Sequence, residues 1–164
     1  MSRLDSFIRR VSAQRDCLNH VVGLVAGVPG PVLELGLGNG RTFDHLRERA
    51  PDREIFVFDR RVAAHPACIP DDDHMILGDI FETLPAALAR TGAPAALAHS
   101  DIGTGDAGSN AVIAAFLGRT LPGLMAPGGV IVSDQDMAPA GWERLPLPEG
   151  VPADRYFIYR KPGA

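Results

Sequence analysis

One turn constrains this chain more than any other feature. Glu34-Leu35-Gly36-Leu37-Gly38-Asn39-Gly40 reads E-x-G-x-G-x-G and closes a short apolar run that begins at Pro31. Glycine belongs where φ is positive or where another group approaches the main chain closely. Three glycines at alternate positions, opening onto a helix N-terminus, make a floor of free N–H groups. The next two strands end in acids. Residues 54–59 form an apolar run that ends in Asp59, nineteen residues after Gly40. Residues 74–77 form another, followed by Gly78-Asp79-Ile80, with Asp79 twenty residues after Asp59. A carboxylate at the first place suits the two hydroxyls of a ribose. A carboxylate with its adjacent main chain at the second can read the edge of an adenine ring. A plain strand–helix connection explains a lone Gly-rich turn. It does not explain acids ending two successive strands.

The remaining periodicity places this turn in a sheet. Leu4, Phe7, Ile8, Val11, Leu18, Val21, Val22 and Val25 fall at helical spacing, so residues 4–25 predict an amphipathic helix ending near Gly27 and Pro29. Short helices are expected over 42–50 and 81–90, and a longer one over 109–121, broken by Pro122. Strands four and five are expected at 95–100 and 129–133, and two more near 142–147 and 155–160. Strands alternating with helices imply right-handed crossovers and a parallel sheet. The last two strands are joined by a Pro-rich turn and must run antiparallel to each other. The expected fold is α/β: a Rossmann-like, doubly wound, seven-stranded sheet, mostly parallel with an antiparallel C-terminal hairpin. One domain over 1–164 is expected, with an N-terminal helix in 1–28, a ligand-binding core in 31–134, and a Pro-rich loop and hairpin in 137–162. In such sheets ligands bind beyond the carboxyl ends of the strands, where strand order reverses.

Composition narrows the partners. Formal net charge is −4, which argues against nucleic acid. No apolar run approaches the roughly 20 residues of a membrane helix, and charges interrupt the N-terminus where a signal peptide would be apolar. A cytoplasmic protein is expected, with Cys17 and Cys68 as free thiols.

The sequence resembles class I S-adenosylmethionine-dependent methyltransferases, of compact bacterial type. Five stretches carry the resemblance: ELGLGNG at 34–40, VFD at 57–59, LGDI at 77–80, HSD at 99–101 and LMAPGGVIVSD at 124–134. It implies methyl transfer from S-adenosylmethionine to a small-molecule acceptor. It also implies a cofactor set of Glu34, Gly36, Gly38, Gly40, Asp59, Gly78, Asp79, Ile80, Ser100 and Asp101. In that set the methionine part lies against Gly36 and Gly38 with Glu34 near its amino group. Asp59 takes the ribose, Asp79 and Ile80 the adenine, and Ser100 or Asp101 the neighbourhood of the sulfonium. Asp101 and His99 are the candidate proton acceptors.

Four other readings use some of the same residues. Metal-dependent O-methyltransferases of the catechol type are similar at Asp101, Asp134 and Gln135, a possible Mg²⁺ set. That family's Asn is Gln here, and its following lysine is missing. A non-catalytic S-adenosylmethionine-binding module would share the cofactor residues and lack turnover. A nicotinamide-binding oxidoreductase would place the third glycine three positions after the second, whereas Gly40 follows Gly38 by two. A phosphate loop needs a lysine where Arg41 stands. Two further expectations concern the pocket. Phe7, Arg9 and Arg10 form a candidate lid, weighed against a helix that simply covers the sheet. The short chain also suggests a second subunit, in a homo-oligomer, to close the acceptor pocket. Residues 71–106 carry seven acidic side chains and one basic, which favours a neutral or cationic acceptor.

Overall fold

A computed structural model describes residues 2–163. Its centre is a seven-stranded sheet made of β1 (Val32–Leu35), β2 (Ile55–Asp59), β3 (Met75–Leu77), β4 (Ala95–Ser100), β5 (Met125–Ser133), β6 (Glu143–Leu145) and β7 (Phe157–Arg160). The strand order is β3-β2-β1-β4-β5-β7-β6. β1 to β5 pair in parallel, and β7 runs antiparallel to both β5 and β6. Strand order therefore reverses between β1 and β4, where Leu35 is level with Ser100. β1 and β4 are buried at every position, as expected for strands covered on both faces.

Five helices flank the sheet: α1 (Arg3–Leu24), α2 (Arg41–Arg49), α3 (Ile80–Thr83), α4 (Ala87–Thr91) and α5 (Ala107–Leu124). One face of the sheet packs Val32, Val57, Leu97, Val130, Val132 and Ile158 against Cys17, Leu18 and Val21 of α1 and Leu46 of α2. The other packs Leu33, Leu35, Phe58 and Ile131 against Leu117, Leu121 and Leu124 of α5. α1 starts with a reciprocal cap: Asp5 N–H donates to Ser2 Oγ, and Ser2 N–H to Asp5 Oδ2.

Several boundaries differ from the expected ones. The helix expected over 81–90 is two short helices, because Pro85 lacks an N–H and its ring crowds the preceding turn. The helix expected to break at Pro122 continues to Leu124. Its end is held from outside: Lys161 Nζ donates to the Pro122 and Met125 carbonyls, both at 2.8 Å. The strand expected near 142–147 shrinks to Glu143–Leu145, and Trp142 packs against the α5-side core instead. β5 begins four residues before the expected Gly129, with a register shift against β4. Both cysteines are free, and burial pushes the Cys17 thiol up to about 12. No helix among the described residues is long and apolar enough to cross a membrane.

Candidate active site

The turn after β1 lies at the switch point. Gly36, Gly38 and Gly40 all have positive φ, at 95°, 52° and 83°. At Gly36 a side chain is excluded twice over, because a Cβ there would also collide with Ile102 Cγ2. Asp59, at the end of β2, locks this turn. Its Oδ2 accepts from Leu37 N–H at 2.8 Å and Gly38 N–H at 3.2 Å, and its Oδ1 accepts from Arg61 N–H at 3.2 Å. The carboxylate is thus held in place with lone pairs still free on both oxygens. Asp79 caps α3 by accepting from Phe81 N–H at 2.9 Å.

Two clefts meet at this turn and share Gly36, Asp59 and Ile102. The first encloses about 650 Å³ of space open to solvent. Phe58, Ile80, Phe81, Ile102 and Ile113 give it apolar walls, with Asp79 and Gly78 at its edge. The second runs between the turn and α1, past Gly38, Asp101, Arg10 and Gln14. The structure therefore brings Gly36, Gly38, Asp59, Gly78, Asp79, Ile80 and Asp101 to the walls of one continuous depression.

The other sequence candidates lie beneath it. Glu34 is fully buried and lines neither cleft. Its Oε1 accepts from Thr42 Oγ1 of α2, and its Oε2 lies 2.7 Å from His99 Nδ1. In this structure Glu34 fastens the turn and α2 to the sheet from below. Gly40 is the residue that enters α2, packed against Cys68. Ser100 is buried with no hydrogen-bond partner on Oγ.

His99 is 1% exposed, and its Nε2 has no partner. Burial works against a charged ring, but the Glu34 carboxylate outweighs it, with help from Asp101 and Asp134, and the pKa is raised. His99 does not reach either cleft, so the structure gives it no contact with a reacting atom there.

Asp101 stands at the cleft and is well connected. Its Oδ2 accepts from Gln14 Nε2 and from Tyr156 Oη at 3.2 Å, and Arg10 lies 3.6 Å away. Behind it, Asp134 follows Ser133, which is level with Ser100 on the neighbouring strand, and its backbone N–H donates to Ser100 O at 3.1 Å. Burial is the main cause that pushes the Asp134 carboxyl up to about 6; the Gln135 hydrogen bond opposes the shift, and the Asp101 charge adds to it. Gln135 meets Asp134 as a donor, Nε2 to Oδ2 at 3.0 Å. Gln135 thus presents its donor nitrogen to Asp134, where a Mg²⁺ ligand would present an oxygen. No group of three or more His, Cys, Asp or Glu side chains among the described residues is arranged to hold a metal ion.

The N-terminal helix does contribute to the depression, through Arg10, Val11 and Gln14. Phe7 is stacked by two guanidiniums, Arg10 at 5.5 Å and Arg41 at 5.9 Å from the ring centre, which ties α1 to the start of α2. Arg9 lies on the same turn beside Asp5. Sequence reading missed Gln14, Tyr156 and Ile102. Gln14 and Tyr156 are far from Asp101 in the chain, and only the fold brings them to it. Ile102 had a usable signal: it is the apolar residue directly after the acid that ends β4.

Comparison with known proteins identifies the family. A family model described as S-adenosyl-L-methionine methyltransferase matches residues 1–161. A crystal structure described as an S-adenosyl-L-methionine methyl transferase from Silicibacter pomeroyi DSS-3 is 49% identical. It covers 98% of this chain and 99% of its own, with a TM-score of 0.91. More distant structures share the fold. The sugar N-methyltransferase KedS8 from Streptoalloteichus sp is 20% identical, covering 82% of this chain and 53% of its own at a TM-score of 0.53. A W203A mutant of the 16S rRNA (adenine(1408)-N(1))-methyltransferase from Catenulisporales acidiphilia is 16% identical, covering 90% and 91% at 0.51. No curated protein matches the sequence significantly. With a family model spanning nearly all of it and a near-full-length relative at 49% identity, the chain belongs to the S-adenosyl-L-methionine methyltransferases and is an S-adenosylmethionine-dependent enzyme.

Proposed function

We propose that the two joined clefts hold S-adenosylmethionine across the switch point and that the enzyme methylates a small-molecule acceptor. The observation that carries this is their junction at Gly36, Asp59 and Ile102. The apolar cleft between Phe58, Ile80, Phe81 and Ile113 suits a flat adenine, with Asp79 at its edge. Asp59, already oriented by three backbone N–H groups, has acceptor capacity left for the ribose hydroxyls. The second cleft takes the methionine part over Gly36 and Gly38, so that the methyl-bearing sulfur comes toward Asp101.

In-line transfer from a sulfonium needs alignment and a dry pocket more than a strong catalyst. Positioning of this kind supplies roughly 7–11 kcal/mol of a barrier. The reaction moves the methyl carbon from sulfur to a lone pair on the acceptor, and the bonding pair stays on sulfur. Arg10 and Gln14 of α1 and Asp101 at the end of β4 border the space where an acceptor would meet that carbon. Asp79 lines the first cleft and Asp106 is bonded to Thr104 of its wall, and both are exposed; these charges favour a neutral or cationic acceptor over a phosphorylated one.

Calorimetric titration with S-adenosylhomocysteine and S-adenosylmethionine tests the cofactor placement. Saturable binding in the micromolar range is expected. Asp59→Ala removes both the ribose acceptor and the clamp on Leu37 and Gly38. Losing hydrogen bonds to a charged group costs about 1.5–3 kcal/mol, so affinity should fall roughly 10- to 100-fold. Unchanged affinity in a folded Asp59→Ala protein would remove the ribose assignment. For the acceptor, S-adenosylhomocysteine release is measured against small amines and hydroxyl compounds, with RNA and DNA as the contrasting arm. Turnover on nucleic acid alone would overturn the small-molecule reading.

A further inference from the structure

The face of the sheet beneath α1 is apolar until its last two rows. Glu34 and His99 are level with each other on β1 and β4, and with Val132 on β5. Two residues further along the same strands come Gly36, Asp101 and Asp134, with Tyr156 entering from the start of β7. A polar layer therefore sits between the apolar core and the second cleft, and Asp101 is its member that reaches the cleft.

Two carboxyls belong to this layer. Asp101 is the better solvated by donors, since Gln14 and Tyr156 both donate to it and Arg10 is near. Asp134 lies deeper. Its Oδ2 accepts from Gln135, and its Oδ1 is buried with no donor. The loop after β4 closes directly over it: a Cβ at Gly103 would collide with Asp134 Oδ2. Asp101 and Asp134 follow the paired residues Ser100 and Ser133 on adjacent parallel strands, so they are neighbours at the end of the sheet. Neighbouring carboxylates repel when both are ionised, and one proton held by the pair removes that repulsion. His99, 1% exposed and with Nε2 unpartnered, lies within the field of both carboxyls, and they act on it in turn. Two buried polar atoms of this layer, His99 Nε2 and Asp134 Oδ1, thus lack partners, and each marks a place where a proton or a bound group is missing.

We propose that the Asp101–Asp134 pair holds one exchangeable proton that leaves when the sulfonium form of the cofactor binds and returns when methyl transfer removes that charge. The inference rests on the cofactor placement above. The acceptor class follows: a protic nucleophile, an amine or a hydroxyl. Its lone pair forms the new bond to the methyl carbon, and the carbon–sulfur bond breaks with its electrons going to sulfur. The proton shed by the acceptor goes to the carboxyl pair. Charge at the site is then nearly constant: sulfonium with an ionised pair before transfer, neutral thioether with a protonated pair after it. Asp101 is the group facing the reacting atoms, and Asp134 is a positioning residue that sets how tightly the pair holds its proton. The charged and titratable groups around the pair are Arg10 and Cys17 on α1, Glu34 on β1, His99 on β4 and Tyr156 before β7.

S-adenosylmethionine and S-adenosylhomocysteine differ at the site by the methyl group and the sulfonium charge, so comparing them isolates the effect without a known acceptor. Titrations near pH 6 in buffers of different ionisation heat count the protons released. S-adenosylmethionine should release about half a proton more than S-adenosylhomocysteine, because a group of pKa about 6 is half protonated there. Across pH 5 to 7 the preference for S-adenosylmethionine should grow by up to about tenfold in the wild-type protein. Asp134→Asn should abolish both effects while its circular dichroism stays unchanged, and Asp101→Asn serves as a second variant. Equal proton release for the two ligands with a flat affinity ratio in wild type would overturn the proposal, whether or not either variant folds. An undiminished difference in folded Asp134→Asn would overturn it as well. If neither ligand binds, it is the cofactor placement that fails, so the two failures read differently.

Discussion

At the scale of single residues, the site depends on a buried carboxyl that never reaches it. Glu34 has no exposed surface, yet it is the middle letter of the structure: Thr42 on one oxygen, His99 on the other, the Gly-rich turn directly above. Burying an ion is costly unless its partners are in place, and removing one partner strands the other. Glu34→Ala should therefore cost about 3–5 kcal/mol, because it leaves the His99 ring buried with no partner on either nitrogen. Glu34→Gln keeps an oxygen facing His99 Nδ1 and should recover much of that loss. Urea denaturation of the two variants checks this. Equal stabilities would mean that the pair is not what holds the turn. The sequence showed an acid two residues before the first glycine, and the resemblance placed it at the cofactor's amino group. Its observed contacts could not be read from the chain, since His99 is 65 positions away.

At the scale of elements, the strands were legible and the helix ends were not. β1, β2 and β4 are runs of apolar residues buried on both faces, and such runs are visible in any window. Helix ends depend on where orphan N–H and C=O groups find partners. Pro85 broke a helix as its chemistry demands, whereas Pro122 did not end one. The difference is Lys161, the only lysine in the chain, whose ammonium takes the Pro122 and Met125 carbonyls from 39 and 36 positions away. Its backbone N–H donates to Gly129 O of β5 at 2.8 Å, so the same residue holds the end of the last strand to β5 while its side chain holds the end of α5. Lys161→Met keeps the apolar stem and removes two charge-assisted bonds. A loss of about 1.5–3 kcal/mol is expected, on the scale of hydrogen bonds to charged groups. That corresponds to a fall in melting temperature of roughly 3–12 °C for a chain of this size. A melting temperature unchanged in the variant would show that α5 ends without outside help. The acid at each strand end was equally legible, but the partners of Asp101 were not, because Gln14 and Tyr156 come from opposite ends of the chain.

At the scale of the whole molecule, the buried acid and histidine make stability depend on pH in a direction opposite to ordinary acid denaturation. Asp134 has its folded pKa raised to about 6 from an ordinary carboxylate value near 4. The folded state thus binds its proton more tightly than the unfolded state does. Its contribution is fully present below about pH 4 and is lost as pH rises through about 6. His99 is raised as well, with burial opposed and outweighed by Glu34, so its contribution is present below about pH 6.5 and is lost above that. His45, lowered chiefly by burial, acts the other way over the same range, and the more exposed His74 is raised by Asp71 despite its partial burial. The exposed carboxyls Asp5, Asp71 and Asp106 are lowered by hydrogen bonds to Ser2, His74 and Ser109 and set only the acid limit. Asp134→Asn separates these contributions through an effect that appears only at the higher pH. At pH 5 the wild-type carboxyl is largely protonated, and the amide should bring no gain. At pH 8 the wild-type carboxylate is ionised, buried and beside Asp101, and the neutral amide should raise the melting temperature. Melting curves of both proteins at the two pH values decide it. A shift of the same size and sign at both would mean that Asp134 keeps one protonation state throughout, and the polar layer under α1 would then have no proton to exchange.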